Sequence, residues 1–421
     1  MVLRHIEWVA YICHMEINDI QNITSHLLKV SSPWIITKID LQQKNKVIDI
    51  FIDFEKGSQF CCSECKNNCT VYDRKVHRWR YLDWFDHRCY LNVQIPRTEC
   101  PEHGIKIISS NPWGRLDVHY SYLFENMIMR YVAEMSMSAV SRELGEPDNN
   151  LWRVFNYHIK NAIDNQLDLS KVKRVAVDEK SQKKGHTYVT IFTDLDEGNV
   201  ILVKLGRKKE VFEDFKKWLV EKNGLSENIE LFSMDMSVSY KAGREEFFPK
   251  SEEVYDHFHI KKALNEAVDN VRKEEVKYID DLKKTKYIWL KNPQRLTEGQ
   301  ERKLNDFLNE SSMETAIAYK MKTAFDQLWK VHPTKAEPLL ENWLHNALIS
   351  QLKPFVKFVN TVRNNYKGIV KSIKTNITNA IAEGINSKVQ IAKSRARGFR
   401  SMDSFMAMIY FLGNDFKFNT C

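Results

Sequence analysis

Two aspartates stand where a carboxylate is expensive to keep. Asp178 closes the apolar run Val175, Ala176, Val177 in "RVAVDEKS", and Asp235 closes another in "ELFSMDMS". A buried carboxylate destabilises a fold unless it is paired, hydrogen-bonded or bound to a cation. Two such acids at the ends of adjacent strands, completed by an oxygen ligand from a helix, form a set that can hold two Mg²⁺ ions. Ions roughly 3.5–4 Å apart can activate an attacking oxygen and stabilise the leaving oxygen of an in-line phosphoryl displacement. The plainer alternative is that each aspartate caps the helix that follows it. Asp194, Asp196 and Glu197 fall in a hairpin turn, where solvated carboxylates are expected.

A helix that could supply the third oxygen comes late in the chain. From Lys353 to Arg400 there are eleven Lys and Arg and a single acid, Glu383. At helical spacing, Ile377, Ile381, Ile385, Val389 and Ala392 make one apolar stripe. Asn379, Glu383, Asn386, Gln390 and Lys393 fall on a different, polar face. A lone glutamate there is ordinarily a surface ion-pair partner. A DNA-facing helix, however, has reason to lose every carboxylate except one that binds metal, while Lys388, Lys393, Arg395 and Arg397 neutralise phosphates.

Cysteine spacing points to a second kind of metal. Cys62 and Cys65, then Cys100 and His103, are two ligand pairs with two residues between the members of each. Four soft ligands on two turns suit a structural, tetrahedral Zn²⁺ with no open position. Cys61 and Cys69 leave the register open, while Cys89 and Cys13 read as packing residues. Between the pairs, "RKVHRWRYLDWFDHRCY" interleaves basic and aromatic side chains. Those can bind phosphates and stack on bases, or they can form a strand pair with one buried aromatic face. Downstream, Ser138–Leu144 and a helix starting near Asn149 flank a turn containing Gly145 and Pro147, the pattern of a helix-turn-helix. Asn149, Asn150 and Arg153 would then reach base edges.

The elements that must carry these groups can be read from periodicity. Alternating runs mark strands at 34–41 and 46–54; the segments 172–179, 187–195, 199–206 and 228–237 also read as strands, and an amphipathic helix covers 209–224. Residues 260–350 read as helix almost throughout. With 421 residues, two to four domains are expected. The fold class is multidomain α/β. No apolar run approaches the ~18 residues of a membrane span. The opening is too polar for a signal peptide, and Met15 offers a second possible start. Eight cysteines, four of them within residues 61–69, suit metal binding in a reducing cytoplasm better than a disulfide framework. Net charge +8 suits a polyanionic partner.

In their order, these motifs resemble the bacterial insertion-sequence transposases of the ISL-three family. The resemblance rests on "VAVDEKSQKKGHTYVTIFTD", on "DHFHIKKALNEAVDNVRKEE", and on Glu383, Gly384, Asn386 and Lys388 followed by Arg395, Gly398 and Phe399. It implies a zinc ribbon, a helix-turn-helix and a ribonuclease H-like catalytic core, with Asp178, Asp235 and Glu383 as the metal-binding triad for Mg²⁺ or Mn²⁺. His257 and His259 lie close after the α/β segment, where a histidine near phosphates can assist the site or contact DNA, His257 being the more structural of the two. His103 departs from the family's usual fourth cysteine but is an ordinary zinc ligand. The 148 positions from Asp235 to Glu383 imply a large all-helical insertion. The expected organisation is an extension (1–32), a zinc-ribbon module (33–112), a helix-turn-helix (113–168), the first part of the core (169–264), the insertion (265–352) and the rest of the core (353–421). The implied activity is cleavage and strand transfer at terminal inverted repeats of double-stranded DNA, by a homo-oligomer assembled on that DNA and with no membrane partner. A non-catalytic DNA-binding regulator and a purely hydrolytic nuclease are the alternatives.

Overall fold

A computed structural model describes residues 17–108, 111–181, 188–310, 313–375, 380–396, 399 and 401–418. They fall into two compact units, divided between Phe155 and Asn156, with Lys417 onward grouped with the first.

In the first unit, α1 (Ile17–Leu27) precedes a six-stranded sheet. Its strands are β1 (Trp34–Gln42), β2 (Val47–Phe54), β3 (Gln59–Cys61), β4 (Asn68–Arg80), β5 (Arg88–Cys100) and β6 (Gly104–Ile107). The order is β1-β2-β5-β4-β3, with β6 pairing with β5. Strand alternation puts Ile48, Ile50, Ile52 and Phe54 of β2, and Cys89, Leu91, Val93 and Ile95 of β5, into one core with Trp79. The basic-aromatic stretch therefore forms the strand pair with a buried aromatic face. Trp79 and Tyr81 are buried, and Arg78 lies over Tyr90 while pairing with Asp49 at 2.9 Å. Cys89 packs in this core, where burial pushes its thiol up to about 12. Cys13 and Met15 lie outside the described residues.

Three helices follow: α2 (Tyr122–Glu134), α3 (Met137–Leu144) and α4 (Asp148–Gln166). Ser136 caps α3 by accepting the Ala139 N–H at 3.3 Å. Gly145 ends that helix in the left-handed region (φ 62°), which a residue without a side chain adopts at little cost.

The second unit holds a five-stranded sheet of β7 (Arg174–Ser181), β8 (Tyr188–Asp194), β9 (Val200–Leu205), β10 (Leu231–Met234) and β11 (Glu252–Tyr255). Its order is β11-β10-β7-β8-β9. The hairpins β7–β8 and β8–β9 are antiparallel, whereas β10 runs parallel to both β7 and β11. The fourth strand of this sheet is shorter than its apolar run suggests. Ser226–Asn228 forms a tight turn before it, and Ser237 already begins the next helix.

Helices α5 (Glu210–Glu221), α6 (Val238–Phe247) and α7 (His257–Glu275) accompany the sheet. Then come α8 (Lys286–Leu290), α9 (Glu298–Asn309), α10 (Glu314–Asp326), α11 (Pro333–Ile349), α12 (Lys353–Asn364), α13 (Tyr366–Thr375), α14 (Ala380–Ala396) and α15 (Met402–Gly413). One hydrophobic core runs from Phe192, Phe212 and Phe232 at the sheet to Trp289, Phe325 and Trp343 among the helices. Each fully buried aromatic of this kind contributes about 1.5–3 kcal/mol. Among the described residues, no helix is long and apolar enough to cross a membrane.

Candidate active site and zinc cluster

The zinc ligands come from the ends of paired strands. Past β3, Lys66 adopts φ 63° and returns its N–H to the Cys62 carbonyl at 3.1 Å, folding Cys62–Cys65 into a knuckle. Past β5, Gly104 (φ 67°) closes a second turn and brings Cys100 and His103 alongside. The ligand atoms of Cys62, Cys65, Cys100 and His103 all lie within 4.8 Å of one another. Cys65 Sγ and Cys100 Sγ are 3.7 Å apart, and Cys100 Sγ stands 3.6 Å from His103 Nδ1. A tetrahedron with Zn–S bonds of ≈ 2.3 Å has S···S edges of roughly 3.8 Å, so the set fits zinc. The His103 ring holds the Cys100 thiol down to about 6, toward the thiolate a metal needs. Cys61 is exposed and donates to Asn68 Oδ1, while burial pushes the neighbouring Cys69 thiol up. The group that gathers within 4.8 Å is thus the four residues of the two knuckles, with Cys69 packed beside Cys62 and Cys100.

The acidic site is built from strand register. Leu231 pairs with Arg174, Phe232 with Val175 and Ser233 with Ala176. Continuing that parallel register by two residues sets Asp235 level with Asp178, on neighbouring strands about 4.8 Å apart. Val175, Ala176 and Val177 are buried beneath Asp178. Asp235 Oδ1 accepts the Ser237 N–H at 3.0 Å. Burial pushes the Asp235 carboxyl above the usual carboxylate range; the Ser237 N–H and His259 oppose the rise, and the Asp178 charge adds to it.

Glu179, which the sequence did not mark, belongs to the same field. Burial raises its carboxyl, Arg207 (3.8 Å away) lowers it, and the charges of Asp235 and Asp178 raise it again. Its only signal in the sequence is adjacency to Asp178. Tyr240, whose hydroxyl lies 3.0 Å from Thr190 Oγ1, is pushed up by burial above all and then by these three acids.

On α14, Ile385 and Val389 are buried, as the apolar stripe requires, and Ala392 is half-buried. Ile377, Asn379 and Arg397 lie outside the described residues, as do the side chains of Ile381 and Arg395. The polar face meets β7: Asn386 Nδ2 donates to Asp178 Oδ2, and Lys393 Nζ donates to the Ser181 carbonyl. Lys180 adds a cation 3.5 Å from Asp178. An open cavity of about 640 Å³ lies here, lined by Lys180, Asn386, Ser387 and Gln390. Lys388 instead turns toward the Leu412 carbonyl at 3.4 Å.

Glu383 is exposed, one turn before Asn386. Among the described residues, the zinc set is the one group of three or more potential ligands that approach within 4.8 Å. The structure therefore brings Asp178 and Asp235 to one end of the sheet, and Asp178, Asp235 and Glu383 do not all gather within 4.8 Å of one another. Positions 383 and 386 nonetheless share a helix face.

Asp194 corrects the expectation of a solvated turn. It is buried at 5 % exposure, accepts the Asp196 N–H at 2.8 Å, and has its carboxyl raised by burial. Asp196 does face solvent, paired with Arg174. Of the two histidines, His257 is half-buried and stacks on Trp329 with ring centroids 4.0 Å apart. His259 lies 4.0 Å from Asp256 and within the field of Asp235. Asn149, Asn150 and Arg153 are exposed on the first turns of α4.

A family model described as "Transposase" matches residues 175–409, more than half the chain and a span that holds all three acids. The chain belongs to the ISL-three transposase family. A second model, described as the zinc-finger of transposase IS204/IS1001/IS1096/IS1165, matches residues 58–103 and spans the four cluster residues. Among curated relatives of this transposase family, the transposase for insertion sequence element IS1001 of Bordetella parapertussis is 25% identical over 363 residues. That alignment covers 83% of this chain and 87% of the relative. The transposase for insertion sequence element IS1557 of Mycobacterium tuberculosis is 23% identical over 382 residues, covering 82% and 84%.

Proposed function

We propose that this family member binds the terminal inverted repeats of its element and catalyses DNA cleavage and strand transfer, with Asp178, Asp235 and Glu383 as the catalytic carboxylates. The observation that carries this reading is the level placement of Asp178 and Asp235 at the ends of adjacent parallel strands, beside the helix that bears Glu383. Three antiparallel strands followed by two parallel ones, in the order β9-β8-β7-β10-β11, support a ribonuclease H-like core. The short α3, the left-handed Gly145 and the exposed first turns of α4 support a helix-turn-helix that presents Asn149, Asn150 and Arg153 to the major groove. We propose the domain organisation expected from the sequence, with the helical block at 265–352 as an insertion; the division between the two compact units falls within its 113–168 segment.

The acidic set is all oxygen, and the raised Asp235 carboxyl marks negative charge crowded by burial, which a bound cation relieves. Mg²⁺ or Mn²⁺ held by these carboxylates would polarise the scissile phosphate and activate the attacking oxygen. Asn386 orients the Asp178 carboxylate, while Lys180 and Lys393 offer positive charge to the DNA backbone beside it. Hydrolysis at the element end exposes a 3′ hydroxyl. That hydroxyl then displaces the 3′ oxygen of a phosphodiester in target DNA. Glu383 would join the aspartates on DNA binding. Zinc held by Cys62, Cys65, Cys100 and His103 would stiffen the β3–β6 region as a DNA-binding module.

The test uses DNA carrying the element ends, with Mg²⁺ or Mn²⁺. Wild-type protein is expected to nick the ends and join precleaved ends to target, and Asp178→Asn to abolish both while binding persists. Nicking without joining would instead establish a hydrolytic nuclease, and tight binding without any nicking a regulator.

A further inference from the structure

Away from the acidic set, α7 carries a groove that the proposed chemistry does not use. Two adjoining cavities of about 400 and 720 Å³ share Lys261, Asn265 and Leu290 and so run together along one face of that helix. Four lysines line the first cavity and three more the second, against three acids in all. Those acids are already answered in part: Asp269 faces Arg272, Lys273 and Lys286 within 3.7 Å, and Asp326 faces Lys261 at 3.4 Å. The floor is fixed by buried Lys322, whose ammonium donates to the Trp289 carbonyl at 2.8 Å and the Leu290 carbonyl at 3.3 Å.

Two features go beyond a positive surface. Asn265, partly exposed, lines both cavities with an amide side chain, the kind of group that pairs with base edges. Phe258 lines the groove, 59% exposed, with its ring 5.6 Å from that of His259, which lies in the field of Asp235. Cavities of a few hundred Å³ hold ligands the size of a nucleotide or two, not a duplex. Basic walls with an exposed aromatic are how single strands are held without regard to sequence.

We infer that this groove binds a single DNA strand leaving the acidic site, with phosphates on its lysines, a base stacked on Phe258 and a base edge on Asn265. The inference rests on the transposition reading for the origin of the strand, but the binding itself can be measured apart from it. The probe is a fluorescein-labelled, mixed-sequence single-stranded DNA of about a dozen nucleotides, within the range of roughly 4–16 that single-strand sites occupy. The zinc-loaded full chain is titrated across a salt series. Lys262 and Lys330 are exposed and one lies in each cavity, so Lys262→Glu with Lys330→Glu leaves the core alone. This variant is expected to bind the probe at least tenfold more weakly, with a log–log salt slope shallower by roughly 1.4, the loss of two phosphate contacts. Phe258→Ala is expected to weaken binding roughly five- to 150-fold, the worth of one stacked base.

Unchanged affinity and slope in the charge variant overturn the inference. So does a wild-type protein that binds duplex ends but no single strand, or displacement of the probe by polyglutamate as readily as by unlabelled DNA, which would mark an acidic-peptide site. In each of those cases cleavage at the element ends still supports transposition. Conversely, the expected single-strand binding without end cleavage sinks the transposition reading and leaves the groove standing.

Discussion

Asp178 is held from two sides, by the Glu179 N–H at 2.7 Å and by the Asn386 amide. A group that orients a metal-binding carboxylate typically accounts for a 10- to 100-fold change in activity. Asn386→Ala is therefore expected to lower the cleavage rate by that factor without altering affinity for duplex ends, and raised Mn²⁺ should recover part of the loss. Asp235→Asn and Glu383→Gln should remove cleavage altogether; full activity in either variant would take that residue out of the proposed triad. His257 makes a prediction about pH. Burial above all, then the Lys261 charge, holds its imidazole down to about 4 in the folded chain, against 6.5 for the free side chain. The fold thus favours the neutral ring, and the unfolded chain binds the extra proton as pH falls from about 6.5 toward 4. Stability should fall across that window. His257→Phe, which keeps the stack on Trp329, should flatten the fall, as read from urea midpoints at successive pH values.

At the scale of elements, the two knuckles of the first sheet are too short to hold their own shape, so metal should be part of their folding. Stripping zinc from the protein with a strong chelator is expected to remove protection from amide exchange over β3 and β6. Metal analysis separates the ligands from the bystander: Cys62→Ser should lose bound zinc and Cys69→Ser should keep it. Gly145 makes the second prediction at this level. Its φ of 62° is left-handed, and a Cβ there would meet Arg88 Nη2 at 2.3 Å. The backbone alone makes Gly145→Ala worth roughly 1–2 kcal/mol in chemical denaturation. Displacement of the flexible Arg88 adds little.

For the molecule as a whole, net charge +8 and a nearly acid-free stretch from Lys353 to Arg400 suit a polyanion. Contact with about six to ten phosphates would weaken duplex binding by about 10³–10⁵-fold between 50 and 200 mM salt. A flat salt response would argue against a phosphate-dominated interface. Much of the architecture behind that surface was legible in the chain. Period-2 alternation marked β1 and β2, and short apolar runs marked β7, β8 and β9, to within a residue or two, because buried strand positions call for apolar residues. Cysteine spacing likewise identified two knuckles, since ligands two residues apart must share a turn. The same local signals failed where burial is decided from a distance. Asp194 reads as a turn acid, yet only 5 % of it is exposed, its carboxylate being turned onto the Asp196 N–H of its own hairpin. The fourth strand of the second sheet reads as ten residues but keeps four, as the turns on either side take the rest.

The chain by itself thus determined which residues are chemically able to act: two costly aspartates, one glutamate kept among eleven cations, and four soft ligands on two turns. Tertiary structure decided which of them meet. It set Asp235 level with Asp178 through strand register, chose Cys62 and Cys65 over Cys61 and Cys69, and put Asn386, not Glu383, against Asp178 across 208 positions of sequence. The physical reason is one of range. Side-chain chemistry and periodicity are properties of a few consecutive residues. A contact between residues 178 and 386 depends on how every strand and helix between them packs, and no local pattern carries that information.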